Sequence, residues 1–114
     1  MNDFLGLAKD AALCAGELLK KRCEKLLEVE SNTGHDLKLK ADIKAEELIR
    51  HRLKHGSPFP ILGEEIGSNS YYTEAGIHWI VDPLDGTANY KKGNTSCCIS
   101  IGLWDGTAPK IGVI

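Results

Sequence analysis

No stretch of the 114-residue sequence approaches the roughly 18 apolar residues of a membrane span. Met1 leads into Asn2-Asp3-Phe4, not into a basic segment followed by a long apolar run. Neither a membrane-spanning helix nor a secretory leader is expected, and the chain reads as cytoplasmic. An excess of charge of one sign is also lacking, since 14 Lys and Arg stand against 16 Asp and Glu for a formal net charge of -2. That balance creates no long-range field for nucleic acid or an anionic membrane, so neither is expected as a partner. No two of the four cysteines form a C-x-x-C pair, and the adjacent Cys97 and Cys98 would face opposite sides of a strand. Cys14, Cys23, Cys97 and Cys98 are therefore expected as reduced, partly buried thiols. Internal repeats and low-complexity segments are absent as well, which excludes solenoids and disordered tracts.

What is present is enough for one domain, at 12.4 kDa, able to bury roughly two-thirds of its unfolded surface. Apolar residues recur at helical spacing from Phe4 to about Leu27, which predicts a long amphipathic helix capped by Asn2 or Asp3. Lys20, Lys21, Arg22 and Lys25 fall near its end and read as a solvated basic helix terminus. Ser31-Asn32-Thr33-Gly34 is a turn signal, after which His35 to Lys40 alternates as a short strand. A second helix follows, with Asp42 at its entrance and Gly56 and Pro58 at its end. His51 and His55 lie four apart on it, the spacing of a shared metal, but no Cys or Glu-x-x-His accompanies them and a surface pair is expected. Phe59 to Leu62 reads as a strand that opens into Gly63-Glu64-Glu65. The segment from Gly67 to Gly76 is a polar loop. Near the end, Lys91-Lys92-Gly93-Asn94 makes a turn, Ser96 to Trp104 a strand, Asp105-Gly106 a two-residue hairpin signal, and Lys110 to Ile114 a last strand.

The densest chemistry is in Trp79-Ile80-Val81-Asp82-Pro83-Leu84-Asp85-Gly86-Thr87-Ala88-Asn89-Tyr90. Trp79 to Val81 suit a buried strand, and Pro83, which has no N–H for a central ladder, marks its end. Asp82 and Asp85 are thus delivered where the chain leaves the core. Clustered carboxylates repel unless a cation compensates, and hard Mg2+ or Ca2+ ions favour oxygen donors of this kind. Gly86-Thr87 can open a helix whose first N–H groups bind an anion. A metal beside a phosphate is the combination these residues suggest.

Asp-Pro-Leu-Asp-Gly-Thr, preceded by Gly63-Glu64-Glu65 and by Asp42 at a helix entrance, resembles the inositol monophosphatase family of metal-dependent, lithium-sensitive phosphatases. The resemblance implies an α+β fold with two helices packed on a largely antiparallel sheet, the amino-terminal part of the layered inositol monophosphatase/fructose bisphosphatase-like α/β sandwich. Residues 1–114 would form that amino-terminal domain, with the carboxy-terminal α/β portion absent. It further implies two or three Mg2+ ions in a complete site. Glu64, Asp82, the Leu84 carbonyl and Asp85 would be metal ligands. Gly86 and Thr87 would bind phosphate, Asp42, Thr87 and Glu64 would be catalytic, and Glu65 would support the site from behind the ligands.

The expected activity is Mg2+-dependent hydrolysis of a small phosphate monoester, with myo-inositol monophosphate favoured because Ala88-Asn89-Tyr90 is similar to the Thr-Asn-Phe of the inositol branch. Histidinol phosphate, fructose bisphosphate and adenosine bisphosphate are alternatives, as is a truncated non-catalytic paralogue that binds a metal or a partner. Association as a homodimer or with the missing carboxy-terminal portion is expected. The pattern departs from the family in three places. Ser31 stands where a Lys is usual, with Lys38 or Lys40 as possible substitutes. Lys38-Leu39 replaces a Val-Thr pair. The downstream Trp-Asp-x-Ala-Ala-Gly segment, which carries another metal-binding Asp, does not occur.

Overall fold

The computed structural model describes residues 3–33, 36–63, 67–68 and 76–114. Helix α1 spans Phe4–Lys20, with Asp3 accepting a hydrogen bond from the Gly6 N–H at 2.8 Å, the capping expected of one of the two candidates. Asn2, the other candidate, lies outside the described residues. Strands β1 (Val29–Thr33) and β2 (Asp36–Leu39) form an antiparallel pair, and α2 (Lys40–Gly56) follows directly. Next come β3 (Ile61–Gly63), β4 (Gly67–Ser68), β5 (His78–Asp85), the short helix α3 (Thr87–Lys92), β6 (Cys98–Trp104) and β7 (Pro109–Val113). The main sheet runs β4-β3-β5-β6-β7, parallel only between β3 and β5. The largely antiparallel α+β arrangement is as expected.

Both long helices lie on one face of this sheet. Ala8, Ala11 and Ala15 of α1 are fully buried, as are Ala45, Ile49 and Leu53 of α2, so small residues on one helix let the two pack closely. Trp79 and Val81 of β5 point into the same core, whereas Ile80, on the opposite face, is 43% exposed. Trp79 also closes the end of α2. Its indole N–H donates to the Ser57 hydroxyl at 2.8 Å, and that hydroxyl donates to the Leu53 carbonyl at 2.8 Å. A buried indole donor is thus satisfied by the same group that caps an orphan helix carbonyl.

Several expected boundaries shift. Helix α1 stops seven residues before Leu27, because Arg22 adopts a positive φ of 38° and turns the chain. Leu26 still reaches the core, from a turn. The carbonyls of Leu26 and Glu28 accept from Ala41 and Lys40 at 3.0 and 2.9 Å, satisfying N–H groups in the first turn of α2. Ser31 to Thr33 belong to β1 rather than to a turn. Strand β5 does not end at Pro83; its pairing with β6 skips between Asp82 and Asp85 and resumes at Asp85 opposite Cys98. The proline occupies the irregularity, where no ladder N–H is required.

Cys97 precedes β6, so the expected alternation of Cys97 and Cys98 across a strand does not apply, and all four thiols are free. The β6–β7 connection is a four-residue loop, not a two-residue hairpin. Asp105 Oδ1 accepts from the Thr107 N–H, the Thr107 hydroxyl and the Ala108 N–H, each at 2.8 Å. His51 and His55 stack edge to face with centroids 4.3 Å apart on the exposed side of α2, as the surface reading expects.

The loop hydrogen bonds hold the Asp105 carboxyl well below the usual carboxylate range, those from the Thr107 and Ala108 N–H groups contributing most. A depressed folded-state pKa contributes stability above the unfolded value and loses it as pH falls. An Asp105→Ala variant is therefore expected to be less stable than wild type at pH 7, with the difference shrinking below about pH 4. Urea denaturation at pH 7 and pH 3 checks this.

Candidate active site

The site is assembled where β5 gives way to α3 and where α2 begins. Asp42 is the third residue of α2 and is almost fully buried, at 1% exposure. Its Oδ2 accepts from the Leu39 N–H at 2.9 Å, and its Oδ1 accepts from the Thr87 hydroxyl at 2.9 Å. One carboxylate therefore does two things: it caps the helix that carries it and fixes the hydroxyl of a residue 45 positions away. Leu39, the residue before α2, has no side-chain oxygen, so the capping interaction runs one way only.

The turn into α3 is set by glycine. Gly86 has φ 89°, the left-handed region that side chains avoid, and a Cβ there would lie 2.6 Å from the Ser96 carbonyl. Thr87 is thereby brought over Leu84, whose carbonyl lies 3.2 Å from the Thr87 hydroxyl. A hydroxyl carries one proton and the nearer Asp42 oxygen takes it, which leaves the Leu84 carbonyl lone pairs largely available to another electrophile. Asp82 is half-buried, its Oδ1 accepting from the Leu84 N–H at 3.3 Å. Asp85 is exposed, with the Cys98 thiol 3.8 Å from its Oδ2.

Burial pushes the Asp42 carboxyl up from the usual range, the hydrogen bonds from Leu39 and Thr87 oppose that, and the Asp82 charge reinforces it. Burial also raises the Cys98 thiol, and the Asp85 charge acts in the same direction.

Of the residues singled out in the sequence, Asp42, Thr87, Leu84, Asp82, Asp85 and Gly86 are thus gathered around one turn. Glu64 and Glu65 lie outside the described residues. The donors at the turn are all oxygens, two of them carboxylates and one a carbonyl, a set that fits a hard divalent cation such as Mg2+. Among the described residues no group of three His, Cys, Asp or Glu side chains is poised around a single point.

Two residues escaped the sequence reading. Glu46 is fully buried on α2, its Oε2 accepting from Arg50 Nε at 2.9 Å, and a side chain on Gly63 would collide with its carboxylate. The residue immediately before Glu64 is thus a glycine because a buried acid occupies the space. The signal available was an acid on the apolar stripe of Ala45, Ile49 and Leu53.

Arg22, read as part of a solvated helix end, instead reaches α3. Its Nη2 donates to the carbonyls of Tyr90 and Lys91 at 3.0 and 3.3 Å, and its guanidinium lies 5.5 Å from the Tyr90 ring centre. Tyr90 in turn donates its hydroxyl to the Leu19 carbonyl at 2.6 Å. Nothing in sequence spacing links residues so far apart.

Two helices on one face of a largely antiparallel sheet, with acids and a glycine-opened helix at the end of its central strand, define an α+β class that presents carboxylates and backbone donors together. The chain belongs to the inositol monophosphatase family, whose family model matches residues 1–114. It is 38% identical over 117 residues to "Inositol monophosphatase 1" of Solanum lycopersicum, covering 100% of this chain and 43% of that protein. Against "Fructose-1,6-bisphosphatase/inositol-1-monophosphatase" of Aquifex aeolicus it is 33% identical over 117 residues, covering 100% and 44% respectively. The extragenic suppressor protein suhB of Bartonella henselae superposes with a TM-score of 0.86 at 30% identity, over 96% of this chain and 43% of that one. The chain therefore spans less than half the length of these relatives.

The shared carboxylate gives the site a measurable energetic signature. Thr87→Val and Asp42→Ala each leave a buried group without its partner, and each is expected to cost about 1–3 kcal/mol in denaturant unfolding. The double variant should cost less than the sum, by at least about 0.5 kcal/mol. Asp42→Asn keeps an oxygen for Leu39 and removes the buried charge. Because the folded-state carboxyl is raised, wild type loses stability as pH rises through the carboxylate range and the variant does not. Its stability relative to wild type should accordingly be more favourable at pH 7 than at pH 4, which paired urea titrations would show.

Proposed function

We propose that this chain contributes the amino-terminal part of the active site of a Mg2+-dependent phosphatase acting on small phosphate monoesters, with myo-inositol monophosphate as the first substrate to test. The observation that carries the reading is the Asp42–Thr87 hydrogen bond at 2.9 Å, made directly beside the Asp82-Pro83-Leu84-Asp85 turn. A buried carboxylate that orients a hydroxyl next to oxygen donors is suited to positioning a water for attack on phosphorus.

Asp82, Asp85 and the Leu84 carbonyl would hold Mg2+, with Glu64 as a further ligand and Glu65 behind it. Bound Mg2+ would supply charge neutralisation at the phosphate and at the departing oxygen. The N–H groups of Gly86 and Thr87 would orient the phosphate at the start of α3. Thr87 Oγ1, with its proton committed to Asp42 Oδ1, presents lone pairs to a water and so would act as the acceptor that aligns it. Proline at position 83 and the left-handed Gly86 hold this turn in shape before substrate arrives, which reduces the ordering cost of binding.

Lys38 supports the reading where Ser31 departs from the family pattern. The two residues are direct partners across the β1–β2 pair, so their side chains share a face and Lys38 can place a cation where Ser31 offers none. Lys40, the other candidate, pairs with Glu30 at 2.8 Å.

Substrate choice is supported by the names of relatives, which include inositol monophosphatases, a fructose-1,6-bisphosphatase/inositol-1-monophosphatase and CysQ of Bacteroides thetaiotaomicron. The test is a chimera in which this chain replaces the matching part of the Solanum lycopersicum relative. It is expected to release phosphate from myo-inositol 1-phosphate only with Mg2+, to be inhibited by Li+, and to lose at least about a hundredfold in kcat on Asp82→Asn. A folded chimera without turnover, or one indifferent to Asp82→Asn, would overturn the assignment.

A further inference from the structure

We infer that the chain carries a second ligand site, adjoining the metal turn through Leu84, that takes an amphipathic anion: one carboxylate or comparable negative group on an apolar body. The site is a cavity of about 420 Å³ between the end of α1 and the start of β6, floored by Leu19, Leu84, Tyr90 and Ile99. That volume lies within the range of small-molecule pockets, and apolar walls with few polar groups are what such pockets share.

Two observations say what the occupant is. The first is Gly16, which also lines the cavity. It sits well inside α1, where glycine is less favourable than alanine. Unlike Gly63, it has no packing reason to be glycine, because a Cβ there would meet nothing within 4 Å. Glycine at this position adds no side chain to the cavity rim.

The second is charge. Arg22 stands at the cavity with no carboxylate among its lining residues, while Lys20 beside it already pairs with Glu17 at 3.4 Å. The Arg22 guanidinium is held in place by its two bonds from Nη2 and by the Tyr90 ring, while its Nη1 and Nε have no hydrogen-bond partner among the described residues. An immobilised guanidinium with unused donors beside an apolar hollow suits an anionic head on a hydrocarbon body. A cationic or purely polar ligand would leave these donors or the walls unsatisfied.

Leu84 belongs to both sites, lining the cavity while its carbonyl lies 3.2 Å from Thr87 Oγ1. The binding inference itself does not depend on the phosphatase reading, and it is tested without turnover.

The probes are decanoate, below its micelle threshold, and decyltrimethylammonium, which has the same chain and the opposite charge. Binding is followed by calorimetry and by amide chemical shifts of the intact 114-residue chain. Decanoate is expected to shift Gly16, Leu84 and Gly93 and to bind at least about tenfold more tightly than the cation. Gly16→Leu, which adds a good helix former and fills the hollow, should abolish binding while raising or preserving the melting temperature. Arg22→Gln should weaken decanoate about tenfold and leave the cation unchanged. Inorganic phosphate should not compete, since it has no hydrocarbon body to cover the apolar walls. Equal binding of the two probes, unchanged affinity in Gly16→Leu, displacement by phosphate, or no shifts at these residues would each overturn the inference.

Discussion

The structure depends on a single buried carboxylate having two partners. Asp42 is held in place by the Leu39 N–H at the start of α2, and it holds Thr87 at the start of α3. The first bond fixes the carboxylate at the helix start, and the second ties the turn after β5 directly to α2. Burying a carboxylate is costly unless its lone pairs are filled, and here backbone and hydroxyl donors fill them from two directions. The raised Asp42 pKa shows that this compensation is incomplete. A fold selected for stability alone has little reason to keep such a group so close to the negative charge of Asp82.

The remaining interactions keep that carboxylate and its hydroxyl in register. Trp79 joins the sheet to the end of α2 through Ser57, and Tyr90 joins α3 to the end of α1 through the Leu19 carbonyl. Arg22 then closes the other end of α3 from outside, a cation at the negative pole of a helix only six residues long. Short helices are marginal by themselves. This one is fixed by Gly86 at its start, by Tyr90 on its buried side and by Arg22 and the left-handed Gly93 at its end. The turn that carries Asp82 and Asp85 therefore sits between elements that are each tied to the core.

The parts legible in the sequence were those governed by local rules. Helical spacing gave both long helices, alternation gave β2, apolar runs gave β3, β5, β6 and β7, and the acids around Asp-Pro-Leu-Asp-Gly-Thr marked the turn, whereas β1 and β4 lie in polar segments that read as turn and loop. Boundaries failed where a distant contact decided them. The run from Lys20 to Leu27 has good helical periodicity, yet the chain turns at Arg22, whose side chain bonds residues 68 and 69 positions later. Pro83 was read as a terminator because proline breaks ladders, but an irregularity in β6 pairing gives it a place inside β5. Asp105-Gly106 suggested a two-residue hairpin, and the three hydrogen bonds to Asp105 Oδ1 favour a longer loop instead.

Glu46 shows why a site can be partly legible and still be misread. Sequence logic treats Gly63 as a place where backbone must approach something, which is correct, but it cannot name what approaches. The structure supplies the answer: the fully buried Glu46 carboxylate, paired with Arg50, fills the space a side chain at 63 would need. A buried ion pair contributes little net stability but makes wrong packings expensive, because either charge alone in the core costs several kcal/mol. Lying against Gly63, the pair restricts which residue the end of β3 can carry. The acids of the motif and the acid beneath it thus have opposite situations: Asp85 is exposed and available to a ligand, whereas Glu46 is enclosed and shapes the backbone that would present one. Counting carboxylates in the sequence cannot separate these roles; their burial and partners do.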